Sequence, residues 1–377
     1  MERKLEVAIA AGGTAGHINP ALALAEELTE RGHHVTFVGQ QAKLEGTLVP
    51  QAGYDFFKIV VTGFDREAPW TAVSAVWRVA KAERALKAHF EQVGYPDVAI
   101  GFGAYVEMPL LRLCGKKRVP YLIHEQNSVP GLANKTCARG ASAVCVAFPG
   151  ARDAFEGKLG KGGRLVVTGN PVRRSVVGAS RAAGRKAFGV TDDQVMLLVF
   201  GGSLGARHVN NAVVALKDEL LARPNVHVIH STGKELYDEV QDQLTLTNEQ
   251  AARWQVLPYI NNMGEALAAA DLVVSRAGAS SIAEIAALKV PSVLVPYPLA
   301  TADHQTTNAR LLSDADCAVL VPDDQLDSDV FSHAVLEALD EPARRNAMRD
   351  AAQRLAQDKA AQVLADELEH VVADAKA

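Results

Sequence analysis

The chain has 377 residues, 48% of them hydrophobic and 22% charged, with a net charge of −5. That length exceeds one comfortable core and suits two domains, and no apolar run reaches the length of a membrane span. The acidic total and the lack of recurring basic–aromatic interleaving argue against a nucleic-acid partner, and an N-terminal apolar run that breaks at Gly12-Gly13 without a cleavage pattern argues against a signal peptide, so a cytoplasmic protein is expected.

Taken in order, residues 5–11 form a short apolar run of the kind buried on both faces of a sheet. The glycine turn "AGGTAGH" follows, then a helical pattern through "NPALALAEELTERG" that Gly32 ends, then the strand "HHVTFVG". Strand, turn, helix, strand is a βαβ unit, which builds parallel sheets. The alternation continues through "DVAIGFG", "VPYLIHEQ" and "ASAVCVAF", and restarts with "VMLLVFGG", "NVHVIHST", "WQVLPYI", "LVVSRAG", "SVLVPYP" and "CAVLVP". Residues 157–180, rich in glycine and basic side chains, interrupt this rhythm. They place a boundary between domains 1–167 and 168–354, each doubly wound α/β, with a last helix over 355–377 able to cross back onto the first. Residues 1–167 hold 20 Lys and Arg against 16 Asp and Glu, the remainder 19 against 28, so the halves carry +4 and −9. Such asymmetry suits different partners for the two halves.

Ligands of doubly wound sheets bind at the carboxyl ends of the strands, where "AGGTAGH" and "FGGSLGAR" stand. A glycine turn leading into a helix offers backbone N–H groups and a positive dipole end to phosphate. Neither turn has the spacing of a dinucleotide fingerprint, no acidic residue ends the second strand, and no P-loop occurs. A third turn, "SRAGASSIAEIAAL", admits two readings. Ser281 and Glu284 form a capping box, or the N–H groups of Ala279 to Ser281 hold a diphosphate while Glu284 accepts ribose hydroxyls. His17, at a helix N-terminus where the dipole disfavours imidazolium, suits a neutral general base. Glu125 is the second candidate. The scattered histidines and the spacing of the four cysteines give no metal site, and the cysteines read as free buried thiols.

The segments "GGTAGHINPALALA", "GFGAYVEMPLL", "HEQNSVPGLANK", "TGNPVRRSV", "GGSLGARHVNN", "SRAGASSIAEIAAL" and "ADHQTTNARLL" resemble, in order and from about Leu5 to Pro322, the MurG family of peptidoglycan glycosyltransferases. The resemblance implies the GT-B fold, two Rossmann-like domains across a cleft. It implies transfer of N-acetylglucosamine from UDP-N-acetylglucosamine to the muramyl sugar of undecaprenyl-diphospho-muramyl-pentapeptide. It further implies donor contacts from Arg173, Ser203, Ile260 (through its backbone), Ala279, Ser280, Ser281, Ile282, Ala283, Glu284 and Gln305. Thr14, Ala15, Gly16 and Asn127 complete that site from the first domain. The chain departs from some members at Ala15 and Ala104, which stand for glycine, and at Leu204, which stands for glutamine.

On this reading His17 takes the proton of the acceptor hydroxyl, with Glu125 the second candidate, orienting the acceptor or polarising His17, and the first glycine turn serves the acceptor's phosphates. Glycine-turn N–H groups, the 275–288 helix and Arg173 stabilise the leaving diphosphate without a metal or cofactor. A lipid-linked acceptor implies peripheral contact with the cytoplasmic face of an anionic membrane, and association with cell-wall synthesis proteins. Trp70, Trp77, Arg78, Lys81, Lys116, Lys117 and Arg118 suit the membrane contact, while Val73 and Val76 are expected to pack on the sheet. A UDP-N-acetylglucosamine 2-epimerase and a non-catalytic nucleotide-sugar-binding subunit are the alternatives.

Overall fold

A computed structural model describes residues 4–63, 71–202, 204–355 and 358–375. The chain divides into two compact units, Met1–Arg173 with Lys359–Ala377, and Arg174–Asp358.

The first unit is built on seven strands: β1 (Glu6–Ala10), β2 (His34–Gly39), β3 (Asp55–Lys58), β4 (Val98–Gly101), β5 (Tyr121–Glu125), β6 (Ala143–Val146) and β7 (Arg164–Val167). They pair in the order β3-β2-β1-β4-β5-β6-β7, all parallel. β4, β5 and β6 are buried at every residue, as strands covered on both faces must be. Around them run α1 (Ala15–Glu30), α2 (Glu45–Gln51), α3 (Thr71–Val93), α4 (Glu107–Lys117) and α5 (Leu132–Cys137). Gly32, at φ +86°, turns the chain out of α1. The edge strands β3 and β7 are absent from the sequence expectation, because each has only four residues and half-buried sides.

β7 ends at Val167, where the sequence sets the boundary, and the chain stays with the first unit through Arg173. Thr168 N–H donates to Val146 O at 3.0 Å, His124 Nε2–H to Gly169 O at 2.9 Å, and Arg173 Nε–H to Glu26 at 3.0 Å. The helix Ala360–Asp374 belongs to the same unit, where Leu364, Leu368, Val371 and Val372 join Ile18, Leu22 and Leu28 in one buried cluster. Burying those four side chains is worth on the order of 5–10 kcal/mol before entropy. The half-exposed pairs of Arg31 with Asp366 and Glu369 add at most about 1 kcal/mol each, so apolar burial decides where the helix docks.

The second unit carries β8 (Val195–Phe200), β9 (Val226–Ser231), β10 (Trp254–Leu257), β11 (Leu272–Ser275), β12 (Ser292–Leu294) and β13 (Ala318–Leu320), parallel in the order β10-β9-β8-β11-β12-β13. In each sheet the strand order reverses beside the first strand, between β1 and β4 and between β8 and β11. Those switch points are where doubly wound sheets take ligands, and the first two glycine turns leave β1 and β8.

Candidate active site

At the carboxyl edge of the first sheet, three buried glutamates hold the loops that leave β1, β4 and β5. Glu45 accepts the N–H of Gly13 and of Gln40, each at 3.1 Å. Glu107 accepts the N–H of Gly103 at 2.6 Å. Glu125 uses both oxygens: Oε1 accepts from Asn127 N at 3.0 Å and Asn127 Nδ2 at 3.4 Å, Oε2 from Gly131 N at 2.9 Å and Asn134 Nδ2 at 2.8 Å. All three carboxyls lie at 2% exposure or less. Burial pushes Glu107 up to about 8 and pushes Glu125 upward against its four hydrogen bonds. The first glycine turn therefore commits its Gly13 N–H to a glutamate, which takes that one group away from a phosphate. Glu45 and Glu107 escaped the sequence reading because each sits in the first turn of a helix, where a solvated carboxylate is ordinary.

His17 lies in the first turn of α1, with Nδ1 3.0 Å from Thr14 Oγ1. Its ring rests against Gly103: a Cβ there would stand 3.3 Å from His17 Cδ2, 3.4 Å from Nε2 and 3.6 Å from Asn134 Nδ2. Gly103 also has φ +85°, so glycine is required twice over. His17, Gly103, Asn134 and Glu125 are thus joined in one cluster, of which sequence singled out the first and the last. Ala15 and Gly16 are the first two residues of α1 and Asn127 is bound to Glu125, so all the residues expected from the first domain stand at this edge. Ala15 has helical backbone, whereas Ala104 takes φ +62°, a conformation that strains any residue with a Cβ.

In the second unit Ser203 lies outside the described residues, while Gly205 takes φ +78° with Thr232 O where a Cβ would go. The turn after β8 is thereby pressed onto the loop after β9. Leu204 is 83% exposed. The helix Ala279–Leu288 has Gly278 at its N-cap, so the capping-box reading is corrected: Ser281 and Glu284 lie inside the helix. Ala279 and Ser280 occupy its first two positions, and Ser281, Ile282, Ala283 and Glu284 follow along its first two turns. Gln305 Oε1 accepts from Ala277 N at 3.2 Å and Tyr297 N at 3.0 Å, joining the loops after β11 and β12 and leaving its NH2 as what it can offer a ligand. Ile260 is buried in the loop after β10. Arg276, which sequence passed over, is held by Val295 O, Pro296 O and Asp323. Arg173 belongs to the first unit and is paired with Glu26, so it must leave that pair to meet a diphosphate.

Of the expected membrane residues, Trp70 lies outside the described residues. Trp77 is 60% exposed, and Val73 and Val76, expected to pack on the sheet, are 78% and 67% exposed; Ala75, Val79, Ala82, Leu86 and Phe90 form the buried face of α3 instead. Arg78 bonds Thr62 Oγ1 at 2.6 Å and Lys81 lies 5.4 Å over the Trp77 ring. Lys116 is paired with Glu83, Lys117 lies 5.3 Å over Tyr95, and Arg118 caps α4 in a left-handed conformation.

Two buried histidines shape the pH response. His124 Nε2–H donates to Gly169 O while Nδ1 accepts from Gln126, and burial lowers it to about 4. In the second unit Asn210 Nδ2–H donates to Thr232 O, which fixes the amide so that Oδ1 accepts His230 Nε2–H; burial lowers His230 to about 3. Both stay neutral in the fold and take up a proton below 6.5 once unfolded. Their stabilisation is present above pH 6.5 and lost as pH falls toward 4 for His124 and toward 3 for His230, on the order of 3–5 kcal/mol each. Glu107 works oppositely: the fold keeps its proton, so its contribution is present below 4.5 and lost as pH rises toward 8. Thermal melting is expected to show an acid limb in both units and, in the first, a decline from pH 4.5 to about 8 that flattens in Glu107→Gln; an unchanged decline over that range in the variant would refute the assignment.

Among the described residues, no group of three or more His, Cys, Asp or Glu is placed to hold a metal ion, all four cysteines are free and buried, and no helix is long and apolar enough to cross a membrane. Residues 7–146 match the glycosyltransferase family 28 N-terminal domain, and residues 196–367 match its C-terminal domain. The chain is 39% identical over 367 residues to the UDP-N-acetylglucosamine–N-acetylmuramyl-(pentapeptide) pyrophosphoryl-undecaprenol N-acetylglucosamine transferase of Salinibacter ruber, covering 96% of each chain. The enzyme of the same name from Carboxydothermus hydrogenoformans is 37% identical, with 90% of each chain covered.

The chain belongs to the MurG family, within glycosyltransferase family 28.

The crystal structure of Acinetobacter baumannii MurG superposes with a TM-score of 0.73 at 29% identity, over 98% of this chain and all of that one. The calicheamicin glycosyltransferase CalG4, at 17% identity and a TM-score of 0.66, shares the fold. This MurG-family chain is a glycosyltransferase with two Rossmann-like parallel-sheet domains, and relatives named as transferases over 90% and 96% of it leave the epimerase alternative without support.

Proposed function

We propose that the chain moves N-acetylglucosamine from UDP-N-acetylglucosamine to the muramyl sugar of undecaprenyl-diphospho-muramyl-pentapeptide. The observation that carries this reading is the near-complete coverage of relatives bearing that activity in their names, and the His17 cluster gives it a chemistry. When Nδ1–H of His17 donates to Thr14 Oγ1, Nε2 carries the lone pair that a general base needs. As the acceptor oxygen bonds to the anomeric carbon, its proton passes to Nε2. The bond from that carbon to the diphosphate breaks, UDP departs with the electron pair, and the configuration inverts. Glu125, with both oxygens holding Asn127, Gly131 and Asn134, acts by fixing this edge rather than by taking the proton.

The donor belongs to the second unit. The N–H groups opening the helix Ala279–Leu288 and the turn containing Ser203 meet the diphosphate, Glu284 the ribose, the Ile260 backbone the uracil, and the Gln305 NH2 a sugar hydroxyl. A helix terminus and backbone dipoles supply positive potential where charge develops, so the proposal needs no metal. Release of UDP from the donor should require a short-chain analogue of the lipid-linked acceptor and survive a chelator. Release abolished by chelation would refute the metal-free mechanism, and acceptor-independent isomerisation would restore the epimerase. Tight donor binding without turnover would favour a binding subunit.

The acceptor's lipid also accounts for an exposed Val73–Val76–Trp77 face on α3 flanked by Arg78 and Lys81. We place this face on an anionic membrane surface on the cytoplasmic side, where partners in cell-wall synthesis would be met. The double variant Val73→Glu, Trp77→Glu is expected to lose most binding to anionic vesicles, because it removes two apolar anchors and adds like charge. The triple Lys116→Glu, Lys117→Glu, Arg118→Glu variant should lose less, since Glu83 already neutralises Lys116. Unchanged sedimentation of both variants with vesicles would sink the assignment.

A further inference from the structure

We propose that Glu107 is a positioning residue for His17, acting through the Gly103 peptide that it holds from beneath. The proposal rests on the transferase reading through the role of His17 as base. Glu107 is fully buried, its Oε2 accepts the Gly103 N–H at 2.6 Å, and Gly101 has no Cβ because Glu107 Oε2 occupies that space. The Gly103 backbone, set at φ +85°, is the surface on which the His17 ring and Asn134 meet. The carboxyl therefore stands one residue behind the base, and its second oxygen, Oε1, is buried without a hydrogen-bond partner. An apolar side chain here would leave the buried Gly103 N–H without its acceptor, so the space calls for an oxygen. The groups that feel Glu107 are Glu125 and Tyr121 on β5 and Cys137 on α5; burial keeps its proton on at neutral pH. Holding the peptide through a neutral carboxyl fixes the surface against which the ring lies.

Three variants, Glu107→Leu, Glu107→Gln and Gly103→Ala, test this with steady-state kinetics, thermal melting and the ring titration of His17 by nuclear magnetic resonance. Glu107→Leu should lower kcat about a hundredfold with both KM values held, as sub-ångström to 1 Å misplacement of a reacting group does. Glu107→Gln, which keeps an oxygen for the Gly103 N–H, should recover most of it at neutral pH. If Glu107→Leu does not fold, Gly103→Ala decides, because its Cβ would press on the ring directly. A folded Glu107→Leu with unchanged kcat, or with its loss entirely in KM, overturns the role. Absence of transfer by the unaltered chain overturns the functional reading alone; the His17 titration then carries the test, upholding the contact if it moves in Glu107→Leu and refuting it if it does not.

Discussion

Replacing His17 with alanine is expected to lower kcat by about a thousandfold while leaving both KM values within a factor of about three. A positioned general base contributes roughly 10²–10⁴, and an interaction made only in the transition state is lost from kcat rather than from binding. The geometry favours His17 over Glu125 on one count: all of the Glu125 acceptor capacity that is seen is committed to Asn127, Gly131 and Asn134, whereas the His17 ring lies against the loop at Gly103 by its Cδ2–Nε2 edge. Thr14→Val, which removes the hydroxyl partner of Nδ1, should give a smaller loss in kcat, since the ring remains but its tautomer is no longer set. Single-turnover rates measured with saturating donor and acceptor separate these cases. Wild-type kcat in His17→Ala would rule out the base assignment, and a Glu125→Gln variant more impaired in kcat than His17→Ala would reverse the two roles.

The second large effect is expected at the start of the helix Ala279–Leu288. Ser280→Asp places a carboxylate in the first turn of a helix whose N-cap is a glycine and which has no acidic residue in that turn. For the fold this is favourable, by about 0.3–1 kcal/mol, because the charge meets the positive end of the dipole. For a donor diphosphate it is adverse, since like charges at close quarters cost several kcal/mol, and 1.4 kcal/mol is a factor of ten. The expected result is a second unit that melts slightly higher and a donor KM raised about 30- to 100-fold, with Ser280→Asn near the unaltered value. Isothermal titration with UDP and a melting curve read the two halves of the prediction. A raised melting temperature with unchanged UDP affinity would move the diphosphate away from this helix.

Both experiments turn on features that differ in how far they can be read from the chain. The eleven apolar runs that open on glycine turns or helical patterns correspond to strands because a strand buried on both faces must be apolar at successive positions, a local property. β3 and β7 lack that property: an edge strand is half solvated, so "DFFK" and "RLVV" carry too little pattern. His17 and Glu125 were visible because each follows an apolar strand at its carboxyl end, where a doubly wound sheet gathers its ligand-binding residues.

What only the tertiary structure decided is the environment of charges and exposed faces. The amphipathic pattern of α3 permits two apolar stripes, and which one is buried depends on how α3 lies against the sheet; Val79, Leu86 and Phe90 go inward while Val73, Val76 and Trp77 stay out. Glu45 and Glu107 look like helix-opening carboxylates in sequence, yet each is driven under a loop, Glu45 by partners 32 residues away at Gly13. Arg173 reads as a donor contact in sequence and is paired with Glu26, 147 residues earlier. Periodicity and turn chemistry act over one or two turns of chain, so the sequence by itself determined the sheets, their switch points and the residues at their edges. Desolvation depends on neighbours that are remote in the chain, and it was the fold that turned two ordinary carboxylates into buried braces of the loops at the sheet's carboxyl edge.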